Sequence, residues 1–517
     1  STWIQSGDAQ MVANASDVNS EVDIDNPEDI QILGQGITAG GNITMTASTD
    51  ETDEGIKIQS TAAPAGTGTV LIRSVSGTIV LDSNGDGNNT GGRFLLGDNT
   101  TAALQDARIV SETQTVDIIG GGDGASVGIA ISGITSDASG IEVEAELALT
   151  FDTGSGMTLG TTDAAADNSG DVRSISAGVT IIADVAAGDV LQRHGAISAA
   201  DAGTVDIDVT GSFIQSPTAG GGALAELLED GIRGGVVDIL VDTNIDIGGD
   251  TDDAIEAVQI ADADAVILHS TAGNVIHSGD GDIEASGADA DINIDADAVT
   301  SAITFTGAGE ILTSNEGGVD NADVLIDVTG GGTIDQSSTD HRISATDDVL
   351  IGTNGTRPAT VDLSGGVAAD DLITILASGN ITMDTTDTSA DIETATDDDT
   401  EGDIFIESTD GAVTLLNDAS ISANPTDTDD SADVTINGDS ITLNSEDAVD
   451  TVEVVAAGDI NLTADAGSVL IQNDMTSGQD MRLTSIAPSA DGDVTIDGAN
   501  GAGASAVLTA IGTADTG

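Results

Sequence analysis

Between residues 434 and 496 the chain repeats one short unit: a glycine or aspartate turn, then three or four residues that alternate a branched apolar side chain with a polar one. Val434-Thr435-Ile436-Asn437, Asp439-Ser440-Ile441-Thr442-Leu443-Asn444, Gly458-Asp459-Ile460-Asn461-Leu462-Thr463 and Gly492-Asp493-Val494-Thr495-Ile496 are four examples. A period of two puts Ile, Val and Leu on one face of a strand and Thr, Asn and Asp on the other. Strands this short do not persist alone, and no helical segment separates them. Each must therefore stack on copies of itself.

The same pattern is present from Glu21-Val22-Asp23-Ile24-Asp25 onward, and recurs at Thr115-Val116-Asp117-Ile118, Val236-Val237-Asp238-Ile239 and Asp291-Ile292-Asn293-Ile294. Val413 to Val434, Ile441 to Ile460 and Ile460 to Met481 are steps of 21, 19 and 21 residues. The expectation is an all-β chain, a parallel β-solenoid of roughly 20-residue coils with two or three strands each. At that period the chain holds ~26 coils. No composition break marks a linker, so residues 1–517 read as one continuous solenoid. An array of immunoglobulin-like sandwiches would need longer strands, a buried Trp or Tyr and a period of about 100 residues.

One stretch departs from the pattern. Gly220-Gly221-Gly222-Ala223-Leu224-Ala225-Glu226-Leu227-Leu228-Glu229-Asp230-Gly231 gathers helix formers between glycines. It predicts a short helical excursion near 221–230, inside a loop spanning 219–235. Its leucines suit either covering a coil face or meeting a partner.

Composition agrees with a thin, regular interior. Hydrophobic residues are 39% of the chain but aromatics only 1%, with Trp3 the single Trp and no Tyr, so large rings do not fill the centre. Ninety-one acidic residues stand against ten basic ones, a net charge of −81, with Lys57 the only lysine. Such a surface repels nucleic-acid phosphates and anionic lipid headgroups and attracts cations. No cysteine is present, which excludes disulfides and thiolate chemistry. No apolar run approaches the ~20 residues of a membrane-spanning helix, so no membrane insertion is expected. Ser1-Thr2-Trp3-Ile4-Gln5 has neither a basic segment nor an apolar signal core, consistent with a removed signal or an excerpt.

Units such as Ala457-Gly458-Asp459-Ile460-Asn461-Leu462-Thr463-Ala464 and Gly379-Asn380-Ile381-Thr382-Met383 resemble the repeats of filamentous-haemagglutinin-type bacterial surface proteins. The resemblance covers most of the chain as a pattern. It implies a right-handed parallel β-helix that is secreted and works at the cell surface as a spacer, coat or adhesin.

The strongest local metal signal is Asp82-Ser83-Asn84-Gly85-Asp86-Gly87-Asn88. Asp82, Asn84, Asp86 and Asn88 occupy positions 1, 3, 5 and 7 of a calcium loop, and Gly87 takes the sharp-turn position. Position 12 is Arg93, where a bidentate carboxylate belongs. The alternative is a polar turn between strands. Asp397-Asp398-Asp399, Asp427-Asp429-Asp430 and Asp280-Gly281-Asp282 read as solvated turns.

Gly124-Ala125-Ser126-Val127-Gly128 has the spacing of a nucleophile elbow, but strand pattern follows where that motif needs a helix. Gly501-Ala502-Gly503-Ala504-Ser505-Ala506 mimics a dinucleotide loop without a βαβ unit. His194, His269, His277 and His341 are scattered and read as the polar positions of alternating strands. Seven Asn-x-Ser/Thr sequons begin at Asn14, Asn42, Asn88, Asn99, Asn354, Asn380 and Asn461, most of them expected by chance in so Thr-rich a chain.

The functional expectation is a non-enzymatic extracellular structural solenoid, the subunit or shaft of a surface filament, sheath or adhesin. It would self-associate head to tail and be steadied by Ca²⁺, because neither end of the sequence carries a polar capping helix. The alternatives are an adhesin that binds glycans or another cell surface through loops, and a polysaccharide-active β-helix enzyme. The enzyme would lack the aromatic platforms that sugar grooves use.

Overall fold

The computed structural model describes residues 2–6, 10–48, 55–59, 70–84, 92–97, 107–121, 128–131, 141–160, 169–183, 188–193, 195–215, 231–248, 254–258, 263–287, 289–314, 321–329, 331–353, 357–385, 391–394, 402–417, 419–423, 432–444, 453–472, 474–486, 492–496 and 508–510. These residues form strands of two to eight residues and no helix. They divide into two compact units, Ser1–Gln259 and Ile260–Gly517.

In each unit the strands run in repeating order through three faces, A, B and C, and every strand pairs in parallel with the strand three places on. In the first unit, face A begins with Trp3–Ser6, Ile30–Leu33 and Gly55–Ile58, and face B with Gln10–Ala13, Gly36–Ala39 and Val70–Ser74. Face C begins with Val22–Asn26, Ile43–Ala47 and Ile79–Asp82. The second unit repeats the scheme from Ala263–Ser270 on face C, Val275–His277 on face A and Ile283–Ser286 on face B. This is the parallel β-solenoid that the alternation demands. Nine coils in a unit, at ~4.8 Å per strand step, extend roughly 40 Å along that unit's axis.

The coils are longer than the sequence steps implied. Register partners lie from 20 residues apart, Val361 and Ile381, to 38 apart, Ile56 and Phe94. Val413 in fact pairs with Ile441, and Val434 with Ile460. Val413 and Val434 lie on different faces of one coil, separated by Ile421–Ala423 on face B. A three-residue strand contributes a single alternation and is passed over when apolar runs are counted. The 20-residue coil is therefore corrected to a three-strand coil of variable length.

Register keeps the apolar ladders aligned through these length changes. On face C of the second unit, Ile292, Val324, Val349, Ile373, Ile404, Val434 and Ile460 stack in one column. Ile294, Ile326, Ile351, Ile375, Ile406, Ile436 and Leu462 stack in the next. All fourteen are buried, each contributing about 1.5–3 kcal/mol by its transfer from water. Of the predicted excursion at 219–235, residues 219–230 lie outside the described residues. Ile232–Gly234 is a face B strand between Ile197–Ser198 and Ile255–Ala257.

The core is not wholly aliphatic. His277 and His341 read as polar positions of alternating strands, yet each is only 1% exposed. In Val275-Ile276-His277 the alternation points Val275 and His277 inward. Their hydrogen bonds run one way: the Gln336 amide donates to His341 Nδ1 (3.2 Å), His341 Nε2–H to His277 Nδ1 (3.2 Å), and His277 Nε2–H to the Gly281 carbonyl (2.7 Å). Phe305 stacks on His341 with ring centroids 4.8 Å apart. Every ring nitrogen is satisfied only if both imidazoles are neutral. Burial, and then the adjacent His277 ring, holds His341 well below the ordinary imidazole range.

Candidate functional site

Apolar columns line the inside; the residue just before each strand binds one coil to the next. Ahead of the face C strands in the second unit this residue is Asp291, Asp323, Asp348, Leu372, Asp403, Asp433, Asp459 and Asp480. The Asp323 amide donates to Asp291 Oδ1 (2.9 Å), the Asp348 amide to Asp323 (3.1 Å) and the Leu372 amide to Asp348 (3.0 Å). A second run joins Asp403, Asp433, Asp459 and Asp480 in the same way, at 2.6–2.8 Å. The aspartate of the Gly-Asp-Ile unit is thus an acceptor for the next coil, and its charge strengthens that bond. Asp280 and Asp282, expected as solvated turn residues, do likewise for the amides of Ala308 and Glu310 (3.2 and 2.7 Å).

Stacked carboxylates repel one another, and where the column is half-buried the repulsion is greatest. Asp323, Asp347 and Asp348 hold carboxylate oxygens within 4.8 Å of one another. Burial, then Asp323, Asp347 and Asp371, pushes the Asp348 carboxyl up to about 7. Asp323 is raised to about 6, again chiefly by burial; Asp291, Asp347 and Asp371 add to the rise, and the Asp348 amide opposes it. Two chemistries relieve such a group: retention of a proton, or a hard divalent cation among the oxygens. Sequence reasoning missed it because Asp323 and Asp348 are 25 residues apart and meet only through coil stacking. The Asp-Val and Asp-Ile pairs that open successive face C strands carry the signal.

The predicted calcium loop is described only in its first half. Asp82 closes a face C strand and Asn84 follows it into a turn, where the Asn84 amide donates to Asp82 Oδ1 (2.9 Å). The Ser83 hydroxyl sits 2.7 Å from the Gly92 carbonyl and 2.9 Å from that of Ile119, fixing the turn to its neighbours. Asp86 and Asn88 lie outside the described residues, as do Asp397-Asp398-Asp399 and Asp427-Asp429-Asp430.

Face B of the first unit concentrates positive charge. Arg73 pairs with Glu112, Arg108 with Glu142, and Arg233 with Glu256 (3.1 Å). Arg173 and Arg233 stand on either side of Ser198 in one column, because Arg173 registers with Ser198 and Ser198 with Arg233. The small side chain leaves an open groove of about 650 Å³, lined among others by Glu142, Asp171, Arg173, Ser198, Asp201 and Arg233.

Fold and surface together define a class, a three-faced parallel β-solenoid with aliphatic columns inside and aspartate columns at the turns. Comparison with protein-family models, with curated proteins and with solved structures finds no match.

Proposed function

We propose that the chain is an extracellular structural solenoid, a shaft or subunit of a surface filament, sheath or adhesin, steadied by divalent cations and able to add further coils head to tail. The observation that carries this reading is the sameness of the coil-to-coil contact. Each step presents the same parallel register, apolar columns and turn acceptors, so a coil from a second copy meets the geometry its own neighbour uses. The resemblance to filamentous-haemagglutinin-type repeats and the absence of cysteine favour the surface location. Electron microscopy of the purified chain with Ca²⁺ and with chelator tests it: the expected result is threads that shorten or disperse without the ion. Single particles under both conditions would refute the assembly. Protease shaving of intact cells tests the location, since a cell-surface protein is cleaved without lysis.

A second reading, glycan binding, rests on the groove between Arg173 and Arg233. Convergent guanidinium and carboxylate groups match the paired hydroxyls of a sugar. A glycan array probed with the chain and with Arg173→Ala tests it; equal signals from both would remove the groove from consideration.

A further inference from the structure

His269 belongs to none of the features above, and it is the one described histidine on the outer surface. It lies on Ala263–Ser270, the first face C strand of the second unit, directly in register with Asp295 on Ala290–Ala296. His269 Nε2 is 3.0 Å from Asp297 Oδ2 and 3.8 Å from Asp295 Oδ2. The three donor atoms lie within 4.8 Å of one another.

We propose that His269, Asp295 and Asp297 form a binding site for one divalent transition-metal ion of the zinc or cobalt type. Four observations point there. First, a metal 2.0–2.2 Å from each donor requires donor separations of about 3.0–3.5 Å. The 3.0 Å pair already fits, and the 3.8 Å pair closes with a few tenths of an ångström of side-chain adjustment in partly exposed groups. Second, Asp295 Oδ1 is buried and accepts no hydrogen bond, leaving lone pairs without a partner. Third, the Thr329 hydroxyl donates to Asp297 Oδ1 (3.1 Å), which orients the other oxygen, Oδ2, toward His269. An outer hydrogen bond of this kind is what fixes a metal-binding carboxylate. Fourth, two carboxylates and a neutral imidazole exactly balance a double positive charge. Burial and the Asp297 charge raise the Asp295 carboxyl above its ordinary value, against the pull of His269, so a cation there relieves strain the apoprotein carries.

The imidazole distinguishes this site from the rest of the surface. All-oxygen groups such as Asp323, Asp347 and Asp348 suit Ca²⁺ or Mg²⁺, whereas a nitrogen ligand favours Zn²⁺, Co²⁺ or Ni²⁺. The remaining coordination positions face solvent and would hold water.

The test uses the whole chain, stripped with chelator and given Co²⁺ or Zn²⁺ in the presence of a large excess of Mg²⁺, which occupies the oxygen-only sites. The wild type is expected to retain one equivalent through gel filtration, and the Co²⁺ form to show the visible absorption of an imidazole-bound ion. His269→Ala and the near-isosteric Asp297→Asn should both lose the retained ion. Thr329→Val should weaken it by roughly 10-fold or more, the usual effect of removing an orienting partner. Circular dichroism of each variant checks that the solenoid is intact. The proposal is overturned if the wild type retains no ion against Mg²⁺, or if His269→Ala and Asp297→Asn retain as much as the wild type.

Discussion

Acidification is the perturbation to which the His277–His341 chain of hydrogen bonds should respond most sharply. A second proton on His341 would have to displace either the Gln336 donor at Nδ1 or the bond to His277 at Nε2, and the site has no water-filled space in which to turn. The folded protein therefore keeps His341 neutral well below its ordinary value of 6.5, while the unfolded chain protonates there. When the unfolded state binds more protons, stability falls as pH falls. The contribution is fully present above about pH 6.5 and is lost progressively below it. Between about pH 7.5 and about 5.5 the unfolded imidazole takes up most of one proton, which corresponds to about 1.4 kcal/mol. Carboxylates titrate over the same range, so the measurement is a difference. His341→Gln keeps an amide donor in the ring's place and removes only the titration; the carboxylates are common to both proteins and cancel. Hydrogen exchange of peptides covering 334–345, corrected for the intrinsic effect of pH, reads the opening free energy of that coil. The wild type should lose about 1.4 kcal/mol more than His341→Gln across the window. Parallel pH profiles would show that the pair accepts protons without cost, and the directional hydrogen-bond argument would be wrong.

Asp348 gives the opposite sign. Its folded value, raised to about 7, means that the folded state holds a proton the unfolded chain has released, so its contribution is present in acid and is lost as pH rises through about 7. Asp348→Asn keeps an acceptor for the Leu372 amide and should be more stable at pH ~8 by about 1 kcal/mol, a figure reduced for the half-exposed position. Its pH dependence by urea unfolding should flatten correspondingly. Ile294→Ala, within the stacked face C column, should cost about 2–5 kcal/mol in the same assay, while its outward neighbour Asn293→Ala should stay within about 0.5 kcal/mol. Gly156 has φ +113°, and a Cβ there would meet the Asp189 carbonyl oxygen at 2.5 Å, so Gly156→Ala should destabilise by on the order of 2 kcal/mol.

Much of the fold could be read directly because it is local. Val434-Thr435-Ile436 and Ile460-Asn461-Leu462 alternate cleanly, and their inward residues are the buried ones. Coil length could not be read the same way. Ile197–Ser198 is only two residues long, too short for any period, and loops of unequal length blur the spacing between register partners. The inward placement of His277 was available from alternation, but polarity alone argued for the surface. What decides the matter is a partner for each ring nitrogen, and His341 is 64 residues away. Site residues divide along the same line. Asp82 and Asn84 are neighbours in sequence and do share a turn. Asp323 with Asp348, and His269 with Asp295, meet only after the chain has completed a coil, so no window of contiguous sequence contains them.

The unequal coil lengths carry a consequence for how such a chain can change. Because 20 and 38 residues both return a strand to the same register, the extra residues are absorbed at the turns, and an insertion there need not disturb its neighbours. Each turn is then an attachment point at a fixed height, one every ~4.8 Å, around a scaffold indifferent to what is displayed. A lineage built this way can exchange its outward decorations by simple duplication and loss of loop sequence, and an engineer can graft peptides onto it at graded, known intervals.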